Sequence, residues 1–177
     1  MHVFSTWRRL FFDRRVTIPA SGFLGNKTEI ESIGNELKEK IRQLRGGRAL
    51  CIRAVDGGGT NAEEIELTAL NNAYYDIERF GLSFVASPRH ADMLLVSGPI
   101  TRNLAHAVRT TYEATPKPCI VVALGDGACT GGIWAGSYAV AGKLSDIIPV
   151  DLEIRGDPPT PTEILRGILQ ALSSAGR

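Results

Sequence analysis

Short apolar runs alternate with helix-like segments along the chain from residue 48 onward. Five runs have the character of buried parallel strands, and they lie at residues 49–55, 82–86, 93–97, 120–124 and 147–152, the second being the weakest. Between them, residues near 62–75, 101–113 and 161–173 have helical character. Strand–helix alternation with glycine-rich loops after the strands predicts an α/β fold with an open, doubly wound, flavodoxin-like parallel sheet.

The first 47 residues have a different pattern, so we expect an extended N-terminal region (1–47) before an α/β domain (48–177). Aromatic residues recur at helical spacing within residues 4–15, with arginines around them. This segment is either a helix packed on its own domain or an amphipathic peptide on a membrane surface or membrane subunit. The candidate membrane-contact residues are Trp7, Arg8, Arg9, Phe11, Phe12, Arg14 and Arg15.

Pro19 ends that segment, and residues 20–27 have the composition of a linker. Thr28 is predicted to begin a charged helix that runs to about Leu44, because Thr28 and Glu31 have the spacing of a capping box. One side of this helix carries an apolar stripe, formed by Ile30, Ile33, Leu37, Ile41 and Leu44. The stripe predicts a helix that docks on an apolar surface, and a partner subunit is the candidate for that surface.

The composition limits the classes of protein to which the chain can belong. The 177 residues are 44% hydrophobic, which is enough for a core, and 20 basic against 19 acidic residues give a net charge of +1. That balance excludes a globally basic nucleic-acid binder, so no nucleic-acid partner is expected. No run approaches the roughly 18 uncharged apolar residues of a membrane span. Three widely spaced cysteines form neither a disulfide framework nor a CxxC metal pair, which favours the cytoplasm.

Three glycine-containing loops follow predicted strands, at residues 56–64, 125–132 and 155–160. Glycine there lets the backbone approach a bound group closely. Within the first loop Gly57, Gly59 and Ala62 fit the dinucleotide pattern G-x-G-x-x-A, but no acidic residue ends the second strand to hold a ribose. The loop also lacks the Gly-Lys-Ser/Thr of a P-loop.

Several of these runs are similar to one known family. Residues 55–67 (VDGGGTNAEEIEL), 125–134 (GDGACTGGIW) and 156–163 (GDPPTPTE) resemble the small, quinone-proximal iron–sulfur subunit shared by respiratory complex I and group 4 membrane-bound [NiFe] hydrogenases. The likeness continues at 76–81, 87–92, 97–101 and 148–151, in unbroken order over about residues 48–172. It implies a flavodoxin-like domain within a multisubunit membrane complex.

The chain departs from this family at the cluster. In the family four cysteine thiolates hold a 4Fe–4S cluster, because its irons require soft, anionic sulfur ligands. The resemblance places those ligand positions at Thr60, Glu63, Gly127 and Asp157, none of which is cysteine. Cys129 is two residues past its expected place, and Cys51 and Cys119 lie in predicted strands. We therefore expect no standard 4Fe–4S cluster, no other cofactor and no metal.

Three interpretations of the former cluster pocket remain open. The loops have collapsed around surface or hydrogen-bonding side chains, or carboxylates pair there with Arg53, Arg89 or Arg155, or a hard cation binds the carboxylate oxygens. The candidates for a polar network or proton relay are Glu63, Glu64, Glu66, Asp126, Arg89, His90 and Arg155. The resemblance further implies that the loop of Arg89 and His90 faces the large subunit, and that Glu64 and Glu66 belong to a quinone or proton region.

The favoured hypothesis is a peripheral-arm subunit without its own cluster, which acts as a scaffold or coupling subunit on the cytoplasmic face of the inner membrane. The resemblance implies three kinds of partner: a large hydrogenase or 49-kDa-like subunit, membrane-arm antiporter-like subunits, and a ferredoxin-like iron–sulfur subunit. One alternative is an electron-transfer subunit of an oxidoreductase with an atypically ligated cluster. Another is a stand-alone small-molecule binder that uses the three glycine loops.

Overall fold

The computed structural model describes residues 25–175, with side chains from residue 29 to residue 174. The helices are α1 (Gly25–Arg45), α2 (Ala62–Ala69), α3 (Arg102–Ala114), α4 (Gly125–Thr130) and α5 (Pro161–Ala175). The strands are β1 (Leu50–Asp56), β2 (Leu82–Phe84), β3 (Met93–Ser97), β4 (Ile100–Thr101), β5 (Ile120–Leu124), β6 (Val140–Gly142) and β7 (Leu152–Ile154). The candidate membrane-contact residues between Trp7 and Arg15 lie outside the described residues.

Five strands form one parallel sheet in the order β2–β1–β3–β5–β7. The strand order reverses between β1 and β3, which makes the carboxyl ends of these two strands the place where such sheets bind ligands. A separate antiparallel pair joins β4 to β6. The predicted α/β class and doubly wound, flavodoxin-like sheet are confirmed.

Hydrophobic side chains cover both faces of the sheet. Alternate residues of β3 point to opposite faces, so that Met93 and Leu95 belong to one core and Leu94 and Val96 to the other. The first core includes residues of α1, α2 and α5, and the second includes residues of α3 and α4. Near-continuous burial along β3 explains why this strand was a plain apolar run in the sequence.

The described residues from 32 to 175 belong to one compact unit, which includes most of α1. Ile33, Leu37 and Ile41 lie in the first core with residues of the sheet, whereas Leu44 is 42% exposed. The expectation that a partner subunit covers this stripe is therefore wrong for those three residues, which pack on their own domain. The division predicted between residues 47 and 48 stays a prediction.

Three predicted element boundaries are wrong, two of them in helices and one in a strand. The first helix begins at Gly25, so Thr28 lies inside it and does not cap it. Helix α2 ends at Ala69 because Asn72 Oδ1 accepts the backbone N–H groups of Tyr74 and Tyr75 at 2.8 and 3.0 Å, which stabilises a turn.

The strand predicted at 147–152 is observed at Leu152–Ile154. The preceding residues follow a turn in which the Ile147 and Ile148 N–H groups donate to the Leu144 carbonyl. Pro149 lacks an N–H group for the sheet. Asp151 then accepts the Val121 N–H at 2.7 Å through its side chain, and the chain enters the sheet one residue later.

No helix among residues 25–175 combines the length and the apolar character that crossing a bilayer requires.

The packing of α1 predicts that two leucines of this helix contribute differently to the free energy of unfolding. Leu37→Ala should lower the free energy of unfolding by about 2–5 kcal/mol, because it leaves a cavity beneath the helix. The matched control Leu44→Ala should cost less than about 1 kcal/mol, because that side chain is partly in solvent. Urea unfolding followed by circular dichroism measures both. Equal losses would contradict the docking of α1 on the core.

Candidate functional site

A cavity of about 220 Å³ lies at the carboxyl edge of the sheet, beside the point where the strand order reverses. The loops after β1, β3, β5 and β7 all contribute to it. It is lined by Gly59, Thr60, Glu63, Pro99, Gly127, Gly132, Ile133, Trp134 and Asp157. All four positions that the resemblance assigns to cluster ligands therefore converge on one cavity. Thr60 and Asp157 are exposed at its mouth, and Glu63 is buried.

The loop after β1 is shaped by Asp56. Its Oδ1 atom accepts the backbone N–H groups of Gly58 and Gly59 at 2.7 and 2.8 Å, which folds the glycine run back on the strand end. Asn61 then adopts a left-handed conformation with φ 69° directly before α2. As a result Glu63 lies in the first turn of that helix and its side chain turns into the cavity.

Close backbone approach fixes the arrangement of the loops. A Cβ atom on Gly98, which has φ +70°, would lie 2.4 Å from the backbone nitrogen of Gly59. One on Gly127 would lie 2.8 Å from the Pro99 nitrogen. The loop after β3, which supplies Pro99, is a part of the site that the sequence analysis missed. The signal that could have found it is the Gly98-Pro99 pair directly after a fully buried strand.

Asp126 connects the loops after β5 and β7. Its backbone N–H donates to the Gly156 carbonyl at 2.8 Å, and its Oδ1 atom accepts the Gly156 N–H at 3.1 Å. It is absent from the cavity lining. Asp126 thus positions Asp157 through the backbone, and its predicted pairing with an arginine stays a prediction.

Glu63 is the buried carboxyl group of the site, with 3% of its surface exposed. No other described residue is seen to donate a hydrogen bond to its carboxylate, which lies against Gly59 and Gly125. Burial raises the pKa of Glu63, and the carboxylates of Glu64, Asp157 and Asp56 raise it further, while its own backbone amide lowers it in part. The site therefore favours the neutral form of Glu63.

Glu64, the next residue, faces a different cavity. Its Oε1 atom accepts a hydrogen bond from the Ser97 hydroxyl, and its Oε2 atom is buried without a hydrogen-bond partner among the described residues. This second cavity, of about 370 Å³, is also lined by Arg53, whose buried Nε is likewise unpartnered in the described part of the chain. The side chains of these two adjacent glutamates therefore line two different cavities.

The other predicted relay residues are not brought into the first cavity. Arg89 and His90 are exposed in the Pro88–His90 turn, within the crossover that leads to Met93 at the amino-terminal end of β3. Arg155 pairs with Glu153 at 2.9 Å on the exposed surface. Glu66 is half-buried and does not line the cavity. Their predicted role in a relay remains a prediction.

The cysteine nearest the site points away from it. Cys129 is buried in the second core, and its sulfur lies 3.7 Å from the Ala123 carbonyl oxygen and 3.8 Å from that of Ile154. Burial raises the pKa of this thiol to about 12. The sulfur is thus held as a thiol and does not line the cavity.

The side chains at the cavity can be compared with the ligands of an iron–sulfur cluster and with those of a single metal ion. A cubane needs thiolates, whereas the four converging positions carry a hydroxyl, two carboxyl groups and a glycine without a side chain. These residues do not fit a cysteine-ligated cluster. Within residues 29–174, no group of three or more His, Cys, Asp or Glu side chains is placed to hold a metal ion.

Comparisons with known proteins agree with this architecture. Residues 61–171 match the model of the family described as the 20 kDa subunit of NADH–ubiquinone oxidoreductase. The chain belongs to this family. The resemblance drawn from the sequence motifs is therefore confirmed at the level of the family.

Two curated relatives are also similar to this chain. A probable membrane-bound hydrogenase subunit, mbhJ, of Pyrococcus furiosus is 41% identical over 143 residues, which cover 80% of this chain and 86% of the relative. Formate hydrogenlyase subunit 7 of Escherichia coli is 37% identical over 153 residues, which cover 86% of this chain and 59% of the relative. Both names describe subunits of larger hydrogen-metabolising enzymes.

A solved structure supports the same assignment. A chain of the membrane-bound sulfane sulfur reductase, an archaeal respiratory membrane complex, superposes with a TM-score of 0.65 and 32% sequence identity. The match covers 76% of this chain and 75% of that chain. This chain is thus similar to subunits whose names describe a membrane-bound hydrogenase, a formate hydrogenlyase and a membrane-bound sulfane sulfur reductase.

The environment of Glu63 predicts a pH dependence of stability. Below about pH 4.5 Glu63 is protonated in both the folded and the unfolded chain and has no effect. At higher pH the unfolded chain releases this proton before the folded one, so this group lowers the free energy of unfolding by at most about 1.4 kcal/mol per pH unit until its folded pKa is passed. Glu63→Gln should therefore become more stable relative to the wild type as pH rises.

Urea unfolding at intervals between pH 4 and 8 measures this difference, because the effect begins near the ordinary glutamate pKa of 4.5. Glu113→Gln is the matched control, because Glu113 is an exposed glutamate on α3 and its replacement should leave the slope unchanged. Parallel pH curves for the wild type and Glu63→Gln would contradict the assigned environment.

The burial of Cys129 predicts selective alkylation. In the native protein at pH 8, iodoacetamide should modify Cys129 at least about a hundredfold more slowly than Cys51 or Cys119, because a thiol with a pKa near 12 has almost no thiolate. Mass spectrometry of tryptic peptides over time gives the three rates, and denatured protein is the control in which they converge. Fast labelling of native Cys129 would contradict this placement.

Proposed function

We propose that the chain is a peripheral scaffold or coupling subunit of a membrane-bound, hydrogenase-related or complex-I-like assembly, and that it carries no iron–sulfur cluster of its own. The observation that carries the proposal is the convergence of Thr60, Glu63, Gly127 and Asp157 on one cavity, where the family has its cluster ligands. The loops of the family are kept, but they present no sulfur ligand.

The packing of the loops supports the same conclusion. A side chain at position 127 would meet Pro99, so a cysteine at this ligand position would require the backbone to move. A Cβ atom on Gly125 would lie 2.3 Å from Glu63 Oε1, so the Glu63 side chain occupies space above the loop after β5. The cavity that remains is shaped around Glu63.

The alternative is an electron-transfer subunit with an atypically ligated cluster, and it would require a ligand from Cys129. The sulfur of Cys129 is held among the carbonyl oxygens of Ala123 and Ile154, in the core behind α4. To reach the cavity, this short helix would have to rotate and expose Ala128, which is also buried. The packing therefore favours the scaffold role.

An exposed apolar segment fits a scaffold role. Ile133 and Tyr138 are 82% and 89% exposed, and Trp134 is half-exposed between them on the same segment. Large apolar side chains in such a group are typical of surfaces that bind a protein partner. The partners we propose are a large hydrogenase or 49-kDa-like subunit, membrane-arm antiporter-like subunits and a ferredoxin-like subunit, with the chain peripheral to the membrane on its cytoplasmic face.

Glu63 provides a group through which such a subunit could participate in proton coupling. A buried carboxyl that keeps its proton to a higher pH than an ordinary glutamate is suited to exchange it when its surroundings change. Thr60 and Asp157, which are exposed, line the same cavity as Glu63. The scaffold would in this way connect movement at a subunit interface to protonation.

Metal analysis tests the proposal. The complex is purified natively through a tag on this chain, and the isolated chain is prepared beside it, because other subunits can hold clusters of their own. Iron, acid-labile sulfide and electron paramagnetic resonance are then measured per chain. A relative with all four cysteines, prepared in the same way, is the positive control. The isolated chain should contain no stoichiometric iron, whereas about four irons and four sulfides per chain would overturn the proposal.

A further inference from the structure

Helix α3 lies on the outside of the second core and presents most of its surface to solvent. Of its 13 residues only Val108 is buried. Arg102, His106 and Arg109 follow one another at spacings of four and three residues, which places them on one side of the helix, and all three are exposed. These three residues form the α3 stripe.

The arginines of the α3 stripe have no counter-charge in the described part of the chain. Neither Arg102 nor Arg109 belongs to an ion pair within residues 29–174. The exposed Arg89 adds a third guanidinium group, because the Pro88–His90 turn packs against α3. Arginine is enriched at protein interfaces and lysine is depleted there, and a guanidinium group can bind a carboxylate through two hydrogen bonds. This side of the domain is therefore suited to carboxylates.

The position of Arg102 is not explained by the stability of α3. It lies in the first turn of the helix, which contains no acidic residue, and the N-cap residue Thr101 makes no side-chain capping bond. A positive charge is unfavourable there, because the amino-terminal end of a helix is the positive end of its dipole. A carboxylate supplied from outside the chain would relieve this repulsion.

An uncharged surface adjoins the amino-terminal end of the α3 stripe. The Arg102 backbone N–H donates to the Ala139 carbonyl at 2.9 Å, and β4 pairs with β6 beside it. Tyr138, which precedes Ala139, is largely exposed, and residues 127–142 contain no charged side chain. Arginines next to an exposed aromatic side chain are typical of the residues that contribute most to binding at protein interfaces.

Glu113 distinguishes between the two kinds of surface that could cover the stripe. Carboxylates of a protein and phosphates of an anionic bilayer both bind arginine, but Glu113 is exposed on the same side of α3, one turn after Arg109. A bilayer of uniform negative charge would repel this carboxylate, whereas a protein can place a cation opposite it. Surfaces that bind anionic lipids also carry clusters of about four to eight lysines or arginines, which is more than α3 and its neighbouring turn provide.

We propose that the α3 stripe binds an acidic surface of a neighbouring protein subunit, whose carboxylates pair with Arg102 and Arg109 while Tyr138 packs against the same subunit. The inference rests on the proposed function only in that the chain must be one subunit of a larger assembly. It adds the side of the chain that the neighbour covers and the chemical groups that the neighbour presents.

A structure of the natively purified complex tests the contact directly. We expect carboxylate oxygens of another subunit within 4 Å of the guanidinium groups of Arg102 and Arg109. Solvent, lipid phosphates or an apolar surface over the stripe would overturn the inference.

Arg102→Glu separates this contact from the stability of the chain. The change places a negative charge in the first turn of α3, so the free energy of unfolding of the isolated chain should not fall. In the complex purified through a tag on this chain, Arg102→Glu combined with Arg109→Glu should raise the dissociation rate of the neighbouring subunit at least about tenfold. Urea unfolding measures the first effect, and native mass spectrometry over time measures the second.

Lys38→Glu combined with Arg48→Glu is the matched control, because it changes the net charge by the same amount at two exposed residues. Lys38 belongs to α1, which packs on the other face of the sheet from α3. This control should leave the dissociation rate within about twofold of the wild type. An equal effect of the two double variants would show a general response to charge and would overturn the inference.

Vesicle flotation tests the bilayer as the occupant. The full chain is mixed with vesicles of phosphatidylcholine and phosphatidylglycerol, and binding that the Arg102→Glu, Arg109→Glu variant loses would overturn the inference. Equal dissociation of the wild-type complex and this variant would also overturn it and would leave the scaffold role intact. Stoichiometric iron in the isolated chain would instead overturn the absence of a cluster and would leave the contact at α3 intact.

Discussion

The structure of the site depends on how closely the backbone segments approach one another at the carboxyl edge of the sheet. Gly98 lies so near Gly59, and Gly127 so near Pro99, that a Cβ atom on either glycine would collide with backbone or ring atoms. These contacts hold the loops after β1, β3 and β5 in one arrangement, and Asp126 joins the fourth loop to them through Gly156. The shape of the cavity is therefore a consequence of backbone packing.

Two opposing effects determine the pKa of Glu63 in this cavity. The first turn of α2 favours a negative side chain through the helix dipole, by about 0.3–1 kcal/mol. Removal of a carboxylate from water costs several kcal/mol when no partner compensates it. Desolvation is the larger effect, which is why the pKa of Glu63 is raised despite its position at the start of a helix. Glu64, one residue later, differs because the Ser97 hydroxyl donates to it.

Much of the fold could be predicted from the sequence, because central parallel strands are nearly continuous buried apolar runs, and β3 and β5 are of this kind. The last strand was predicted too early, since the apolar residues before it pack into the second core as a turn. The four converging positions followed from the family resemblance. The burial of one glutamate beside a hydrogen-bonded one could not be predicted, because adjacent residues of the same type differ only in their tertiary neighbours.

The two hydrophobic cores lie on the faces of the sheet, whereas the cavity lies at its edge, so the fold and the site are largely independent. Residues other than cysteine at the four converging positions are therefore compatible with the same fold. The acidic side chains at this edge of the sheet also bear on whether a cluster would bind. A cubane with four thiolates is itself anionic, and the acidic side chain of Asp157, which lines the cavity, is an unfavourable neighbour for it.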